Sequence, residues 1–479
     1  MFYSYQDFID EPNVVTGITN AISHHKNSAD YKIALSADKY DKMQNELIMN
    51  YVRTILSMSG NALEDFTVSN NKLCSNFFHR LNTQRCMYLL GNGVSFTDHV
   101  EDRVGADGVV TKIDTTKQKL GKDFDTKLKE CAYNALIHKV AYGFWNYDHL
   151  HVFKYTEFVP LEDEETGILR AGIRFWQLDA SKPMIAVLYE EDGYTRYRAD
   201  NGSSLFREDR PKKGYKQNYK GTEVDGIEVV GEENYGRLPI VPLWGSRLHQ
   251  STLVGMKEKI DSFDLIRSGF ANDLSDCAQV YWIVNNANGM SEFELERFRD
   301  RLKTLHIAKA DTTNSSVVPY TQEIPYAARK EYLDEIRSGL YEDFGGLDVH
   351  TVAAGATNDH IDAAYQPLDE EADDFEYQVI QFVEQILSLI GVEDTPIFKR
   401  NRISNQTEQT NMVLSAADYL DDETVLKKLP WITVDEVAKI LAKKDEEQEE
   451  RFVNEQSGDD SGDGVQNRSG EQQRVSDSE

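Results

Sequence analysis

Cysteine is scarce, with four residues in 479, at Cys74, Cys86, Cys131 and Cys277 and with no C-x-x-C pair. That spacing excludes a disulfide framework and a thiolate zinc site, and places the chain in a reducing compartment. No apolar run approaches the ~20 residues that a membrane-spanning helix needs. The start, MFYSYQDFIDEP, lacks the basic head and apolar core of a secretory signal, so a soluble protein, or one assembled into something soluble, is expected. Positive charge is also short: 52 Lys and Arg stand against 82 Asp and Glu, a net charge of −30. Affinity for phosphate comes mainly from Lys and Arg. A tight grip on nucleic acid is therefore excluded, but a surface past which nucleic acid slides without sticking is not.

Catalytic signatures are missing as well. There is no G-x-x-x-x-G-K-[ST] loop to drive a nucleotide motor, no dinucleotide fingerprint, no G-x-S-x-G elbow, no H-E-x-x-H pair and no kinase set. The one enzyme-like cluster is His350 with Asp359, His360 and Asp362, a two-His, one-carboxylate arrangement that would make a metal-dependent hydrolase. It falls in a stretch with no rigid element to fix it. The negatives favour a structural or conduit protein without cofactor or metal.

What is present is an ordered series of elements. Helices are expected over Ile18–His25 and Lys42–Met58, with the pair His24-His25 at a solvated helix end. Leu73, Phe77, Leu81 and Met87-Tyr88 form a helical stripe stopped by Gly91-Asn92-Gly93. Leu120–Tyr142 reads as another amphipathic helix. From Phe144 to Trp244 aromatic and β-branched segments lie between turn signals, an antiparallel sheet region packed on the preceding helices, hence an α+β fold. The basic stretch Arg207–Lys220 reads as a loop at a solvated hairpin tip.

Met256–Trp282 is the organising helix. Its apolar residues, Ile260, Phe263, Ile266, Phe270, Leu274, Cys277 and Tyr281, recur at three and four. A second, polar stripe carries Asp261, Asp264, Ser268, Asn272 and Asp276, expected to face a lumen or a neighbouring chain. A break at Asn285–Gly289 leads into a small α/β knob. In it Ser291 and Glu294 cap a short helix, and LHIAKA and SSVVPYTQEI are strand candidates. Pro325 opens a returning helix, Tyr326–Tyr341. A small-residue stretch, Gly345–Asn358, precedes a long helix from about Ala363 to Ile390, bent by Pro367, acidic at its start and stopped at Gly391. Short helices are expected over Asp422–Leu429 and Thr433–Lys443, and disorder from Asp445.

In this order, NKLCSNFFHRLNTQRCMYLLGNGVSF, LKECAYNALIHKVAYGFW, GRLPIVPLWG, IDSFDLIRSGFANDLSDCAQVYWIV, EIPYAARKEYLDEIRSGLYEDFGGLDV and YLDDETVLKKLPWITVDEVAKILAKKDEE resemble the portal proteins of tailed bacteriophages, of the kind found in siphophages of Gram-positive hosts. The resemblance implies a non-enzymatic ring of twelve subunits at one vertex of the phage head, and hence localisation in the virion, with assembly in the host cytoplasm. It also implies a portal-type multi-region subunit: a wing (1–255), a stem helix (256–283), a small α/β clip (284–325), a second stem helix (326–344), a tunnel loop (345–362), a long wing helix (363–399), a helical crown (400–444) and an acidic tail (445–479). Carried onto these residues, the DNA channel would be lined by Leu347, Asp348, Val349, His350, Thr351, Asn358, Asp359 and His360. The clip would dock terminase or an adaptor through Glu292, Glu294, Arg297, Arg299, Arg301 and Lys303. The implied partners are double-stranded DNA in transit, the large terminase, head-completion proteins, and the scaffolding and major capsid proteins, with no membrane. Such a protein seeds head assembly, passes DNA inward and releases it at infection.

Overall fold

A computed structural model describes residues 3–56, 62–65, 68–104, 110–200, 205–222, 226–277, 281–285, 316–320, 326–350, 357–402 and 406–429, with isolated residues at 293, 294, 297, 432, 437, 440, 441, 443 and 444. In chain order the helices are α1 (Tyr5–Asp10), α2 (Val14–Asn27), α3 (Ala29–Asp41), α4 (Glu46–Asn50), α5 (Phe77–Leu90), α6 (Thr115–Leu120) and α7 (Phe124–His138). They continue with α8 (Lys257–Cys277), α9 (Tyr326–Phe344), α10 (Asn358–Ile390), α11 (Gln406–Ser415) and α12 (Asp422–Lys428). The chain divides into two units, Met1–Val349 with Tyr365–Arg402, and His350–Ala364 with Ile403–Glu479. Mixed helix and sheet bear out the α+β expectation.

The sheets lie in the first unit. Strands Phe158–Glu162, Leu169–Trp176, Met184–Glu190, Gly193–Ala199 and Arg207–Lys213 form an antiparallel meander in sequence order. One face is covered by α1 and α2, where Phe8, Ile18, Ala21 and Ile22 pack on Val159, Leu161, Ile173 and Leu188. The N-terminal residues thus supply the apolar cover that a sheet face needs.

A second sheet, of three antiparallel strands, has Val140–Asn146 at its centre, between Ile240–Trp244 and His149–Lys154. Every residue from Val140 to Trp145 is buried. The strand is covered on both faces, by the α10 core around Phe382 and by the aromatic cluster of Phe144, Phe153, Phe158 and Tyr189. Gly143 is needed there, since a Cβ would stand 2.4 Å from the Phe382 ring.

Burial on both faces explains one error of the sequence reading. A continuous apolar run carries no period of two, so Val140–Tyr142 reads as the end of a helix. The helix in fact stops at His138, and Lys139 takes φ 89° to turn into the strand. Three further boundaries move. Among the described residues, Lys42–Met58 is helical only over α4, with Met43 at φ 56° before it and Thr54–Leu56 extended after it. Arg207–Lys220 is not a loop: Arg207–Lys213 and Lys216–Thr222 are strands, the first with its charged residues exposed at a sheet edge. Charged residues on edge strands block edge-to-edge pairing, and the same composition reads as loop. The long helix ends at Cys277, and Tyr281-Trp282 belong to the strand Tyr281–Asn285, paired with Ser316–Tyr320.

Other expectations hold. The stop at Gly91–Gly93 precedes the strand Val94–Ser95, α9 begins directly after Pro325, α10 stops at Gly391, and α12 matches Asp422–Leu429. Val437, Ile440, Leu441, Lys443 and Lys444 are helical. LHIAKA and the tail from Asp445 lie outside the described residues.

His24 is exposed, as expected of a solvated helix end, but His25 is buried. The His25 ring is edge-on to Tyr31 and Tyr155, with Nε2 2.8 Å from the Tyr155 carbonyl. Burial pushes its pKa down from 6.5 to about 4. The folded state therefore holds His25 neutral while the unfolded chain takes up a proton below pH 6.5, so its contribution is full above that pH and is lost on acidification. The full loss on reaching pH 4 is about 3 kcal/mol. Urea unfolding of the wild type should show this decline, and His25→Gln, which keeps a donor near the carbonyl, should flatten it.

Candidate channel segment and its anchorage

The polar stripe of α8 comes first, because its surroundings differ from expectation. Asp261, Asp264, Ser268 and Asn272 are all buried within the subunit. Asp264 accepts from the Ser75 backbone N–H at 2.9 Å, Ser268 from that of Leu73 at 2.9 Å and Asn272 from that of Asn71 at 2.6 Å. The spacing explains the fit. Four residues of helix advance ~6 Å, and two residues of extended chain advance ~6.6 Å. Every second amide of Asn71–Ser75, running opposite to α8, therefore meets every fourth side chain of the helix.

Asn45 also donates to Asp264, and Tyr40 donates to Asp261. Lys257 reaches Asp261 at 3.2 Å. Burial raises the Asp264 pKa, with Asp261 adding repulsion, against the hydrogen bonds that favour its charge. The stripe thus faces neither lumen nor neighbour; the subunit itself occupies it. Asp276 sits in the last turn, and its side chain lies outside the described residues.

The apolar stripe of α8 is the less covered one. Ile260 is buried, Phe263 meets Phe77 edge-on at 5.0 Å, Phe270 meets Tyr326 at 5.7 Å, and Leu274 is exposed. The returning helix α9 runs antiparallel alongside, joined through Lys259–Asp343 and Arg329–Asp273 ion pairs.

Helix α9 ends in a paired-turn stop. Gly345, at φ 63°, donates to the Glu342 carbonyl at 3.1 Å, and Gly346 to that of Tyr341 at 2.8 Å. One face of α5 grips the chain beyond it. Gln84 clamps the Leu347 backbone on both sides, accepting its N–H at 3.0 Å and donating to its carbonyl at 2.9 Å. The buried Arg85 guanidinium donates to the Phe344 carbonyl, lies 4.1 Å over the Phe344 ring and is 3.1 Å from Glu371. Arg337 holds Asp348 by two bonds of 2.9 Å.

The eight expected channel residues therefore divide. Leu347 is buried and Asp348 is ion-paired, so both belong to the root of the segment. Val349 and His350 are exposed, and Thr351 lies outside the described residues. Asn358, Asp359 and His360 form the first turn of α10, not a loop. Thr357 starts that helix, accepting from the Ile361 N–H at 3.1 Å, with its hydroxyl 2.9 Å from His360 Nδ1. Among the described residues no three His, Cys, Asp or Glu side chains converge on a metal position. In the knob, Glu294 and Arg297 are helical, with the Arg297 guanidinium 5.6 Å over the Phe293 ring. Glu292, Arg299, Arg301 and Lys303 lie outside the described residues.

The acidic start of α10 is also answered within the first unit. Arg400 reaches Asp369 at 2.8 Å and Glu376 at 2.9 Å and also pairs with Asp373, while Arg402 pairs with Asp369. Tyr88 donates to Asp369 at 2.5 Å and accepts from Arg402 Nε at 2.8 Å. Burial works against the Asp369 charge, but the bonds from Arg402, Tyr88 and Arg400 outweigh it and lower its pKa. Periodicity alone could have aligned Leu81, Gln84, Arg85 and Tyr88 on one helical face. Nothing in the sequence named their targets.

Removing Asp264 strands two buried donors, so Asp264→Ala should destabilise the subunit by about 2–4 kcal/mol in urea. Asp273→Ala, which breaks only the half-exposed pair with Arg329, should cost no more than about 1 kcal/mol.

Comparison with known proteins identifies the family. The family described as "Phage portal protein, SPP1 Gp6-like" matches residues 22–450. The portal protein of Bacillus phage SPP1 is 23% identical over 444 residues, 85% of this chain and 83% of that protein. The portal protein of Clostridium phage phiCD119 is 27% identical over 231 residues, 46% of this chain and 51% of that protein, so the match spans about half of the latter. The chain belongs to the SPP1-like family of phage portal proteins, which are structural, non-enzymatic components of the virion head.

Proposed function

We propose that this subunit assembles into a ring, of twelve copies, that forms the channel at one head vertex through which double-stranded DNA is packaged and later ejected. The observation that carries the reading is the antiparallel pair α8 and α9 leading into a segment whose root is locked and whose next residues, Val349 and His350, are exposed. A conduit needs that combination: a firm base, and an exposed stretch beyond it that can meet a passing duplex.

Charge supports the same reading. DNA carries one negative charge per ~1.7 Å of axis, and a subunit of net charge −30 would let it pass without trapping it. In this reading α8 and α9 are the stem, residues 284–325 form the clip that docks the terminase motor and then a head-completion protein, and the segment after Leu347 is the tunnel loop. Residues beyond Arg402 contribute the crown, and the ring seeds head assembly with scaffolding and capsid proteins. A closed ring uses two different surfaces of each subunit. The exposed Leu274, Tyr326 and Tyr332 on the stem pair suit one of them.

Electron microscopy of the purified protein should show rings with a central hole; a monodisperse monomer under assembly conditions would overturn the proposal. Replacing residues 351–356 by a short Gly-Ser linker should leave rings intact and reduce packaged DNA several-fold. Gln84→Ala, which frees the root, should act in the same direction more weakly.

A further inference from the structure

A different part of the first unit carries donor atoms suited to a metal ion. Strands Val140–Asn146 and His149–Lys154 are joined by a tight turn, with Tyr147 at φ 61° and Asp148 beside it. Asn146 stands opposite His149 in the pairing, and Phe144 opposite His151. Since alternate strand residues share a face, Asn146, His149 and His151 project to one side, and both histidines are exposed.

Both rings are held. Asp148 accepts from His149 Nδ1 at 2.6 Å, which fixes that ring's tautomer and turns the Nε2 lone pair outward, the arrangement carboxylates give to metal-ligating histidines. His151 lies parallel to the Phe144 ring, 10° between planes at 6.2 Å. The two Nε2 atoms are 2.9 Å apart. The Asn146 amide lies 3.5 Å from His149 Nε2 and, turned over about its last torsion, presents its carbonyl oxygen to the same point.

We propose that His149 and His151 chelate a divalent transition-metal ion through their Nε2 atoms, with Asn146 as an auxiliary oxygen ligand and Asp148 as a positioning residue. Two metal–nitrogen bonds of ~2.05 Å span ~2.9 Å at a right angle and ~3.3 Å at the tetrahedral angle. The observed separation is that of an N–H···N hydrogen bond between the two rings and lies close to both spans, and the Irving–Williams order favours Cu²⁺ over Zn²⁺ at such an imidazole pair. On binding, His151 moves its proton from Nε2 to Nδ1 by exchange with water, so the ring stays neutral. The remaining coordination positions face solvent and accept water or a side chain of another chain.

The test is titration of tag-free, full-length protein with CuCl2 and NiCl2 by calorimetry, with copper bound at one equivalent followed by electron paramagnetic resonance. One tight site per chain is expected, binding Cu²⁺ more tightly than Zn²⁺. His149→Ala and His151→Ala should each weaken it at least tenfold and reduce the nitrogen hyperfine pattern from two imidazoles to one. Asp148→Asn should weaken it several-fold while keeping both nitrogens. His149 is exposed, so His149→Ala also serves if His151→Ala perturbs the stack on Phe144. Equal Cu²⁺ affinity in the wild type and the double variant, or a copper signal without two imidazole nitrogens, would overturn the proposal.

Discussion

The ladder between α8 and residues 71–75 is the constraint on which the rest of the first unit depends. Three backbone amides of an irregular segment have no strand partner, and that of Ser75 is buried. Left unpaired, the buried one alone would cost on the order of 1–3 kcal/mol. Asp264, Ser268 and Asn272 accept all three, because the helix and the extended chain advance by nearly the same step. This sets the orientation of α8 about its axis. With the polar stripe turned in, the side carrying Phe270 and Leu274 is turned toward α9 and outward.

A second consequence concerns α5, which follows that ladder directly. Its Gln84 and Arg85 hold the chain at Phe344 and Leu347, and Tyr88, one turn on, holds Asp369 and Arg402. One short helix thus ties the root of the proposed tunnel segment to the acidic stretch of α10 and to the chain near Arg402. These contacts are within one subunit, so the segment starts from a fixed point before any neighbour is added.

Much of the fold could be read directly. The periods of α5, α8, α9 and α10 and the stops at Gly91 and Gly391 need only local chemistry: spacing of apolar residues, absence of a Cβ, absence of an N–H at proline. The misreadings share a cause in contacts from elsewhere. Val140–Asn146 lost its period because two cores cover it. Arg207–Lys213 looked like a loop because an edge strand exposes its charges. His25 looked solvated because its partners, Tyr31 and Tyr155, include one far along the chain. Asn358–Asp362 looked flexible because the small residues before it hide the cap supplied by Thr357.

The amino-acid sequence by itself determined the family, the order of elements and the presence of a polar stripe on the central helix, since these are properties of residue type and spacing along one chain. Only the tertiary structure decided what that stripe is for. Periodicity tells which side chains share a face, but not what lies opposite. Here the partner is a stretch of backbone almost two hundred residues away, whose amides carry no sequence signature at all.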